Sequence, residues 1–378
     1  MTSPTASAEP IPAEDLTRQY RQIDAEIHAA IDRILPAGKY TLGPVLEEFE
    51  HDFALYCGTQ HGIGISSGTA ALQLALAAMG VGPGDEVITQ ANTYVATAFA
   101  ISYLGATPVF VDVDPVHSNL DVARIEARIT SRTKVILPVH LYGHPVDMDP
   151  LLDLAHRRGL RVLEDASHAH GSTYRGRRIG SLGDVAAFSF YPSKVLGAYG
   201  DAGAIVTNDA ELAKKIRLLR YMGQEVKGTH LVIGYQERLD PMQAAILQVK
   251  LRHLEGWIEM RRRIARRYGE LLEDLPVRLP PEAPDCRHVY YLYTLHAPRR
   301  DELAAFLQAR GIATQQIYHT PAPLQPCYAH LGTTAAEIPV AARLAGELIN
   351  LPMFPELRDD EVERVAACIR DFYTRGEP

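Results

Sequence analysis

Short apolar runs alternate with helical patterns between residues 62 and 208, and polar or glycine-rich turns separate them. This alternation is typical of an α/β fold whose central sheet is mainly parallel, and it leaves room for antiparallel members. A helix is predicted after the first run, because Leu72, Leu76 and Met79 lie on one helical face. The predicted strands span residues 62–66, 87–89, 109–111, 135–139, 161–164, 185–190 and 204–207.

The pattern changes after Pro241, where a long amphipathic run predicts a helix with an arginine-rich, solvated face. A smaller module follows from Pro276 and ends the chain. Its predicted elements are a strand at 289–295, a helix at 301–310, a proline-rich loop at 321–326 and a helix at 360–373.

Three parts of the chain follow from these patterns. Residues 1–15 are predicted to form a flexible N-terminal arm, and residues 16–245 a large domain whose first helix can pack on the small domain. Residues 246–378 comprise the linking helix and a small C-terminal α/β domain.

Composition narrows the class of ligand. Lys and Arg number 38 against 46 Asp and Glu, a formal net charge of −8, which argues against nucleic acid or an anionic membrane as the partner. Four widely spaced cysteines and an N-terminus without a basic flank or apolar run favour a cytoplasmic protein. Residues 87–111 carry no charge, but Gln90, Asn92, Gly105 and Pro108 favour a buried strand–helix–strand over a membrane span.

The first candidate for chemistry is the segment Ser66-Ser67-Gly68-Thr69, which follows a strand and opens a helix. Free backbone N–H groups and the helix dipole make such a position suitable for phosphate. The competing interpretation is that Ser67 or Thr69 only caps the helix.

A second candidate lies at the end of the strand Arg161-Val-Leu-Glu-Asp165. Ligands of open α/β sheets gather at the carboxyl ends of strands, so Asp165 is placed to meet one, although a helix cap would also use a carboxylate there. His168 and His170 follow, but no third ligand with suitable spacing stands nearby, so we predict no metal site.

The third candidate is Lys194, which lies between a buried strand and a glycine-rich loop. Desolvation there would make its amine a usable nucleophile, whereas most lysines are solvated surface groups. Together the three places match what pyridoxal phosphate (PLP) requires: N–H donors for the phosphate, a carboxylate for the ring nitrogen and a lysine for the aldehyde. Tyr94 could stack on the ring.

Ordered motifs along nearly the whole chain, from about Leu16, resemble the DegT/DnrJ/EryC1/StrS family of PLP-dependent sugar aminotransferases. The motifs are Ser67-Gly-Thr-Ala-Ala-Leu, Gly84-Asp-Glu-Val-Ile, Gly105-Ala-Thr-Pro-Val-Phe-Val-Asp112, Pro138-Val-His-Leu-Tyr-Gly143, Glu164-Asp165 with His170-Gly, Ser189-Phe with Lys194, and Gly234-Tyr with Arg238-Leu-Asp240.

The resemblance implies the aspartate-aminotransferase-like fold (PLP fold type I) and a homodimer with shared active sites. It implies that Lys194 bonds the aldehyde and shuttles protons, and that Asp165 pairs with the pyridinium nitrogen. It also implies that Tyr94 stacks on the ring, and that the segment containing Gln236 reaches the partner's cofactor. The residues implied to hold the phosphate are Ser67, Gly68, Thr69 and Ser189.

Two positions depart from the family pattern: His168 replaces a common glutamine and Gln236 a common asparagine. Both can still hydrogen-bond, so cofactor binding is expected to persist while donor and sugar preference are open. Tyr318, His319 and His140 are predicted sugar-site contacts. The retained Lys194 argues against the family's dehydratase branch, which carries histidine there.

The predicted reaction moves an amino group from an amino acid, L-glutamate first, to a nucleotide-linked keto sugar, with pyridoxamine phosphate as the intermediate cofactor form. A dTDP-3-keto-6-deoxyhexose is favoured, while a dTDP- or GDP-4-keto-6-deoxyhexose or a keto-inositol stays open. Two other classes compete. A nicotinamide-dependent oxidoreductase would use Gly62, Gly64 and Gly68 with Asp85, although the spacing misses the usual fingerprint. A non-catalytic regulatory homologue would not need Lys194.

Overall fold

The computed structural model describes residues 9–374 and contains α-helices, short 3-10 turns and four β-sheets. The helices are α1 (Leu16–Ile34), α2 (Pro44–Cys57), α3 (Gly68–Ala78), α4 (Val95–Ser102), α5 (Met148–Arg158), α6 (Ala210–Arg220), α7 (Pro241–Leu272), α8 (Arg300–Gln308), α9 (Pro339–Glu347) and α10 (Asp359–Thr374). The strands are β1 (His61–Ile65), β2 (Glu86–Gln90), β3 (Thr107–Val111), β4 (Thr133–Leu137), β5 (Arg161–Asp165), β6 (Thr173–Tyr174), β7 (Arg177–Arg178), β8 (Val185–Ser189), β9 (Gly203–Thr207), β10 (Gln224–Val226), β11 (Thr229–His230), β12 (Cys286–Arg287), β13 (Tyr293–His296) and β14 (Leu348–Leu351).

The central sheet has seven strands in the order β1-β9-β8-β5-β4-β2-β3. All seven predicted runs lie in it. Neighbours from β8 to β3 pair in parallel, while β9 runs antiparallel to both β1 and β8. The α/β prediction with a mainly parallel sheet is confirmed. Because β5 and β8 are parallel neighbours, Asp165 and Ser189 end at the same edge of the sheet.

The central sheet is buried on both faces, which explains why its strands show short hydrophobic runs rather than alternation of apolar and polar residues. Every residue of β2 and β9 is buried. Helices α3 and α4 cover the sheet with small side chains such as Ala71, Ala75 and Ala98, which let the helices approach closely.

Helix α7 connects three apolar clusters. Leu247, Leu254 and Ile258 belong to the core around the central sheet, while Ile264 and Tyr268 belong to the core of the C-terminal part. Its remaining apolar face, which includes Val249 and Trp257, packs against α1.

The C-terminal part differs from the predicted pattern at the strand and in three elements that were not predicted, β12, β14 and α9. The strand predicted at 289–295 begins only at Tyr293, since the chain turns at Tyr290 with φ +48° and Arg261 binds the carbonyls of Tyr290 and Tyr291. Strand β14, which pairs antiparallel with β13, was not predicted.

The N-terminal arm is anchored where the structure describes it. Ile11 is buried, its N–H donates to Gly311 O at 2.8 Å, and its carbonyl accepts from Ala313 N at 2.9 Å. Residues 9–15 therefore pack on the C-terminal part instead of forming the loose arm predicted, and residues 1–8 lie outside the described range. In the following helix Arg18 forms a double hydrogen bond, each 2.7 Å, with Glu361 of α10.

None of the described helices has the length and apolar character needed to span a membrane. The charge-free stretch 87–111 forms β2, α4 and β3, the predicted buried strand–helix–strand. The nicotinamide alternative fails on packing: Gly62 and Gly64 lie inside β1, where a Cβ would meet Glu50 O at 2.2 Å and Leu46 Cδ1 at 2.8 Å. Asp85 is engaged locally by Gly82 N and Lys134.

Candidate active site

A cavity of about 470 Å³ opens at the carboxyl edge of the central sheet. Thr97, Ser167, Ser193, Asp201 and Tyr291, which the sequence patterns did not single out, also line it. The predicted site residues that line it are Ser67, Gly68, Thr69, Tyr94, Asp165, His168, Ser189, Lys194 and Tyr318.

The β1–α3 turn forms one wall of the cavity. Ser67 caps α3 through its Oγ, which accepts from Ala70 N at 3.1 Å, and the N–H groups of Gly68 and Thr69 lie in the first turn. Only glycine fits at position 68, because a Cβ would lie 2.5 Å from Ser189 Cβ. Capping does not exclude anion binding at this turn. Ser67 satisfies the N–H of Ala70, and the N–H groups of Gly68 and Thr69 beside Ser189 are suited to a phosphate.

Asp165 ends β5 and is 4% exposed. Its Oδ2 accepts from Thr97 Oγ1 at 2.9 Å, and its Oδ1 accepts from Ser167 N at 3.1 Å. Thr93 Oγ1, 3.0 Å away, supplies the donor for Thr97, whose own proton goes to the carboxylate. Within residues 9–374 no Lys, Arg or His forms an ion pair with Asp165. A buried carboxylate needs a positive partner, so this one fits the protonated ring nitrogen of PLP.

Lys194 follows β8 in a tight loop, where its backbone N–H donates to Tyr191 O at 2.8 Å. Its Nζ lies 4.5 Å from the ring centroid of Tyr291. No carboxylate forms an ion pair with Lys194 in the described part of the chain. The amine therefore faces the cavity without a fixed counterion, as a nucleophile for an aldehyde requires.

His168 is held as a neutral imidazole. Its Nδ1 accepts from Tyr142 N at 3.2 Å, so the proton is assigned to Nε2, which lies 3.4 Å from Tyr318 OH. Burial, reinforced by the positive charge of Lys194, holds the pKa of His168 well below its usual value. His168 is consequently a neutral hydrogen-bonding group rather than a cation.

Three predicted contacts lie outside this cavity. His140 is fully buried: its Nε2 donates to Glu164 Oε2 at 3.1 Å, and its Nδ1 accepts from Val146 N at 3.1 Å. Both nitrogens are thus engaged in the fold, which leaves no route to a direct substrate contact. His319 and Gln236 are exposed, and neither lines the cavity.

Thr97 was not predicted from the sequence. Thr93 lies just before the N-cap Tyr94 of α4, and its hydroxyl meets that of Thr97 in the first turn of the helix. Nothing in the sequence links that pair to Asp165, however, since the contact joins α4 to β5 across the sheet. No group of three metal-ligating side chains lies together among the described residues. A larger cavity of about 720 Å³ beside Asp114 and Cys286 contains no lysine, so it does not suit PLP.

The buried histidines predict acid sensitivity. Burial lowers the pKa of His144 to about 4 and that of His170 to about 3, whereas the unfolded groups titrate near 6.5. Above that value both states are neutral. As the pH falls below it the unfolded chain binds protons first, so the free energy of unfolding should drop by about 1.4 kcal/mol per histidine and pH unit, down to the folded pKa.

Urea unfolding at fixed protein concentration between pH 7.5 and 5 measures this slope. A His170→Phe variant should lose the dependence that comes from one proton, whereas replacing the exposed His28 by Asn should leave the slope unchanged. Equal slopes for the His170 variant and the unmodified chain would contradict the assignment.

The fold and the cavity define a PLP-dependent enzyme. A helix start suited to phosphate shares one cavity with a buried carboxylate and a lysine that have no ion-pair partner within residues 9–374. The sequence profile described as the DegT/DnrJ/EryC1/StrS aminotransferase family matches residues 21–370. The chain belongs to this family and is a PLP-dependent sugar aminotransferase.

The chain is similar over nearly its whole length to two named relatives and a solved structure. The chain is 48% identical over 366 residues to the dTDP-3-amino-3,4,6-trideoxy-alpha-D-glucose transaminase of Streptomyces venezuelae, covering 97% of both chains. It is 48% identical over 366 residues to a Geobacillus stearothermophilus protein named as a pleiotropic regulatory protein, covering 96% of this chain and 98% of the relative. The crystal structure of S. venezuelae DesV with a ketimine intermediate matches with a TM-score of 0.96 and 47% identity, over 98% of this chain and 100% of that one.

Proposed function

We propose that this enzyme transfers an amino group from an amino acid, L-glutamate first, to the ketone carbon of a nucleotide-linked deoxysugar, with a dTDP-3-keto-6-deoxyhexose as the favoured acceptor. The observation that carries the proposal is the placement of Lys194 and Asp165 on one cavity beside the start of α3, where neither has an ion-pair partner among the described residues. The acceptor is supported by the transaminase from S. venezuelae, whose name contains a 3-amino dTDP sugar.

The residues of this chain divide the work of holding PLP. The N–H groups of Gly68 and Thr69 and the hydroxyls of Ser67 and Ser189 hold the phosphate. Asp165 accepts a hydrogen bond from the ring nitrogen and keeps it protonated. Tyr94, which is 60% exposed, would cover one face of the PLP ring. His168 would donate a hydrogen bond from Nε2 to the cofactor.

When bound, PLP supplies a reactive carbonyl and an electron-withdrawing ring that stabilises negative charge on the carbon next to the amine. Lys194 Nζ is the group that would bond this carbonyl. As a free amine beside the donor, Lys194 would take the proton from the donor's α-carbon and, in the second half-reaction, would give a proton to the sugar carbon that receives the amine. Tyr318, whose ring lies 6.3 Å from that of Tyr94, closes the sugar side of the cavity, whereas the exposed His319 lies outside it.

The active form is proposed to be a homodimer with shared active sites. Gln236 lies on a segment that turns away from its own cavity and exposes large apolar side chains, among them Ile233 at 96%. Leu231 and Val232 extend this apolar surface. Covering it with a second copy removes it from water and carries Gln236 toward the partner's cofactor. All four cysteines are free thiols, which supports a cytoplasmic location.

One experiment tests the assignment of Lys194. Purified protein is loaded with PLP, its visible spectrum is recorded, and borohydride reduction is followed by peptide mapping. The label is expected on Lys194. A label on another residue, or no cofactor-dependent absorption, would overturn the proposal and would favour the regulatory alternative.

A second experiment identifies the acceptor. The loaded enzyme is incubated with glutamate and a panel of dTDP-linked 3-keto, dTDP- and GDP-linked 4-keto sugars and a keto-inositol, and amine products are measured by mass spectrometry. Preferred turnover of the 3-keto sugar is expected. Faster amination of a 4-keto sugar or keto-inositol would replace the favoured acceptor while leaving the aminotransferase chemistry intact.

A further inference from the structure

The loop that carries Lys194 is folded back tightly on itself. Phe190 N donates to Ala202 O and Ala198 N donates to Phe190 O, both at 2.8 Å. Gly197 lies against the chain at Pro192, where a Cβ would meet the carbonyl oxygen at 2.2 Å. The backbone of this loop therefore determines where Lys194 Nζ points.

Two side chains of α7 bind that backbone from below. Gln243 brackets Tyr199: its Oε1 accepts from Tyr199 N at 2.9 Å, and its Nε2 donates to Tyr199 O at 3.1 Å. Lys250 Nζ donates to Gly197 O at 2.5 Å. The two residues are seven positions apart, so they lie on one face of the helix, two turns from each other.

Lys250 is an unusual residue to find at this place. It is 1% exposed and forms no ion pair with a carboxylate in the described residues. Besides Gly197 O it meets the rings of Tyr199 and Trp257, whose centroids lie 4.9 and 5.9 Å away. Burial lowers its pKa to about 7, and the negative charge of Glu356 opposes that change. Burying an amine costs free energy unless a hydrogen bond replaces its hydration, and for Lys250 that bond is the one to Gly197 O. The proposed chemistry uses Lys194 alone, so it does not explain why Lys250 is buried.

We propose that Gln243 and Lys250 are positioning residues, which hold the 190–203 loop so that Lys194 presents its amine to the cofactor's carbonyl. The inference rests on the proposed role of Lys194. It adds that the linking helix α7, which packs on both parts of the chain, sets the geometry of the reacting amine.

Arg261 extends the same arrangement. It lies eleven residues beyond Lys250, three turns along the same face, and donates to the carbonyls of Tyr290 and Tyr291 at 3.3 and 3.2 Å. The Tyr291 ring in turn faces Lys194 Nζ. One helix face thus binds the backbone on both sides of the reacting amine.

Hydrogen exchange of the cofactor-free protein directly tests whether Gln243 and Lys250 hold the 190–203 loop, an arrangement that we call the clamp. Lys250→Met and Gln243→Leu should each raise the exchange rate of the amides in peptide 190–203 by roughly tenfold, because bonds that hold the loop closed are removed. The matched control is Lys215→Met, which replaces an exposed lysine on α6. It should exchange like the unmodified chain.

Kinetics and spectra of the loaded enzyme complete the test. In both variants kcat should fall roughly ten- to a hundredfold while KM for glutamate changes by less than about twofold, since a displaced amine slows proton transfer more than binding. The pH at which the bound cofactor's absorption titrates should also move. If Lys250→Met does not fold, as judged by circular dichroism, Gln243→Leu alone decides.

The outcomes separate the two proposals. A borohydride label away from Lys194 in the unmodified protein would refute the proposed function. A label on Lys194 together with unchanged exchange, kcat and spectral titration in a folded variant would refute only the positioning role.

Discussion

Lys194→Gln is expected to lower turnover by at least about a thousandfold, the largest effect of any single substitution in this chain. Glutamine is one atom shorter than lysine and keeps a hydrogen-bonding end, but it has no basic nitrogen, so it can neither bond the carbonyl nor move the proton. The fold should survive, because Lys194 forms no ion pair with residues 9–374 and its backbone bond to Tyr191 O is retained.

Steady-state amination with glutamate, together with borohydride mapping, measures this effect. Lys215→Gln on the exposed face of α6 is the matched control and should behave like the unmodified enzyme. Activity of the Lys194 variant within tenfold of normal would mean that another group moves the proton.

Asp165→Asn is expected to lower kcat by roughly a hundred- to a thousandfold, in line with the loss of one preorganised electrostatic partner. The amide can still accept from Thr97 Oγ1 but carries no charge, so the ring nitrogen is no longer held protonated. Cofactor content should change little, since the proposed phosphate site at Gly68 and Thr69 does not involve this side chain.

The check is kcat and bound cofactor, measured on the same preparation. Asp153→Asn, which alters an exposed carboxylate on α5 outside the cavity, serves as the control. Near-normal turnover with full cofactor content would remove Asp165 from the assigned role, whereas loss of cofactor would make its contribution one of binding.

The sequence was most informative where a residue's place follows from local order. Asp165 and Ser189 end parallel neighbouring strands, and Lys194 follows in the next loop. The rule that ligands bind at the carboxyl ends of strands therefore predicts that these three residues share a site. The same rule misplaced His140, which also follows a strand. It does not say toward which side of the sheet a side chain turns, and in the structure Glu164 and Val146 N hold that ring inside the fold.

Contacts between distant segments were beyond reach. Thr97 contacts Asp165, which is 68 positions away in the sequence. Arg261 binds carbonyls 29 and 30 positions away and so delays the start of the strand predicted at 289–295. Four-residue β14 has no pattern of its own and exists because β13 pairs with it. The clamp on the Lys194 loop belongs to the same class, since Lys250 reads in the sequence as one more cation on an amphipathic helix.

Helix α7 supplies side chains to all three apolar clusters, so unfolding any part of this helix exposes core atoms to water. The part built on the central sheet and the C-terminal part are therefore thermodynamically coupled. The chain should unfold in a single cooperative step, and heat or urea should abolish catalysis and C-terminal structure together.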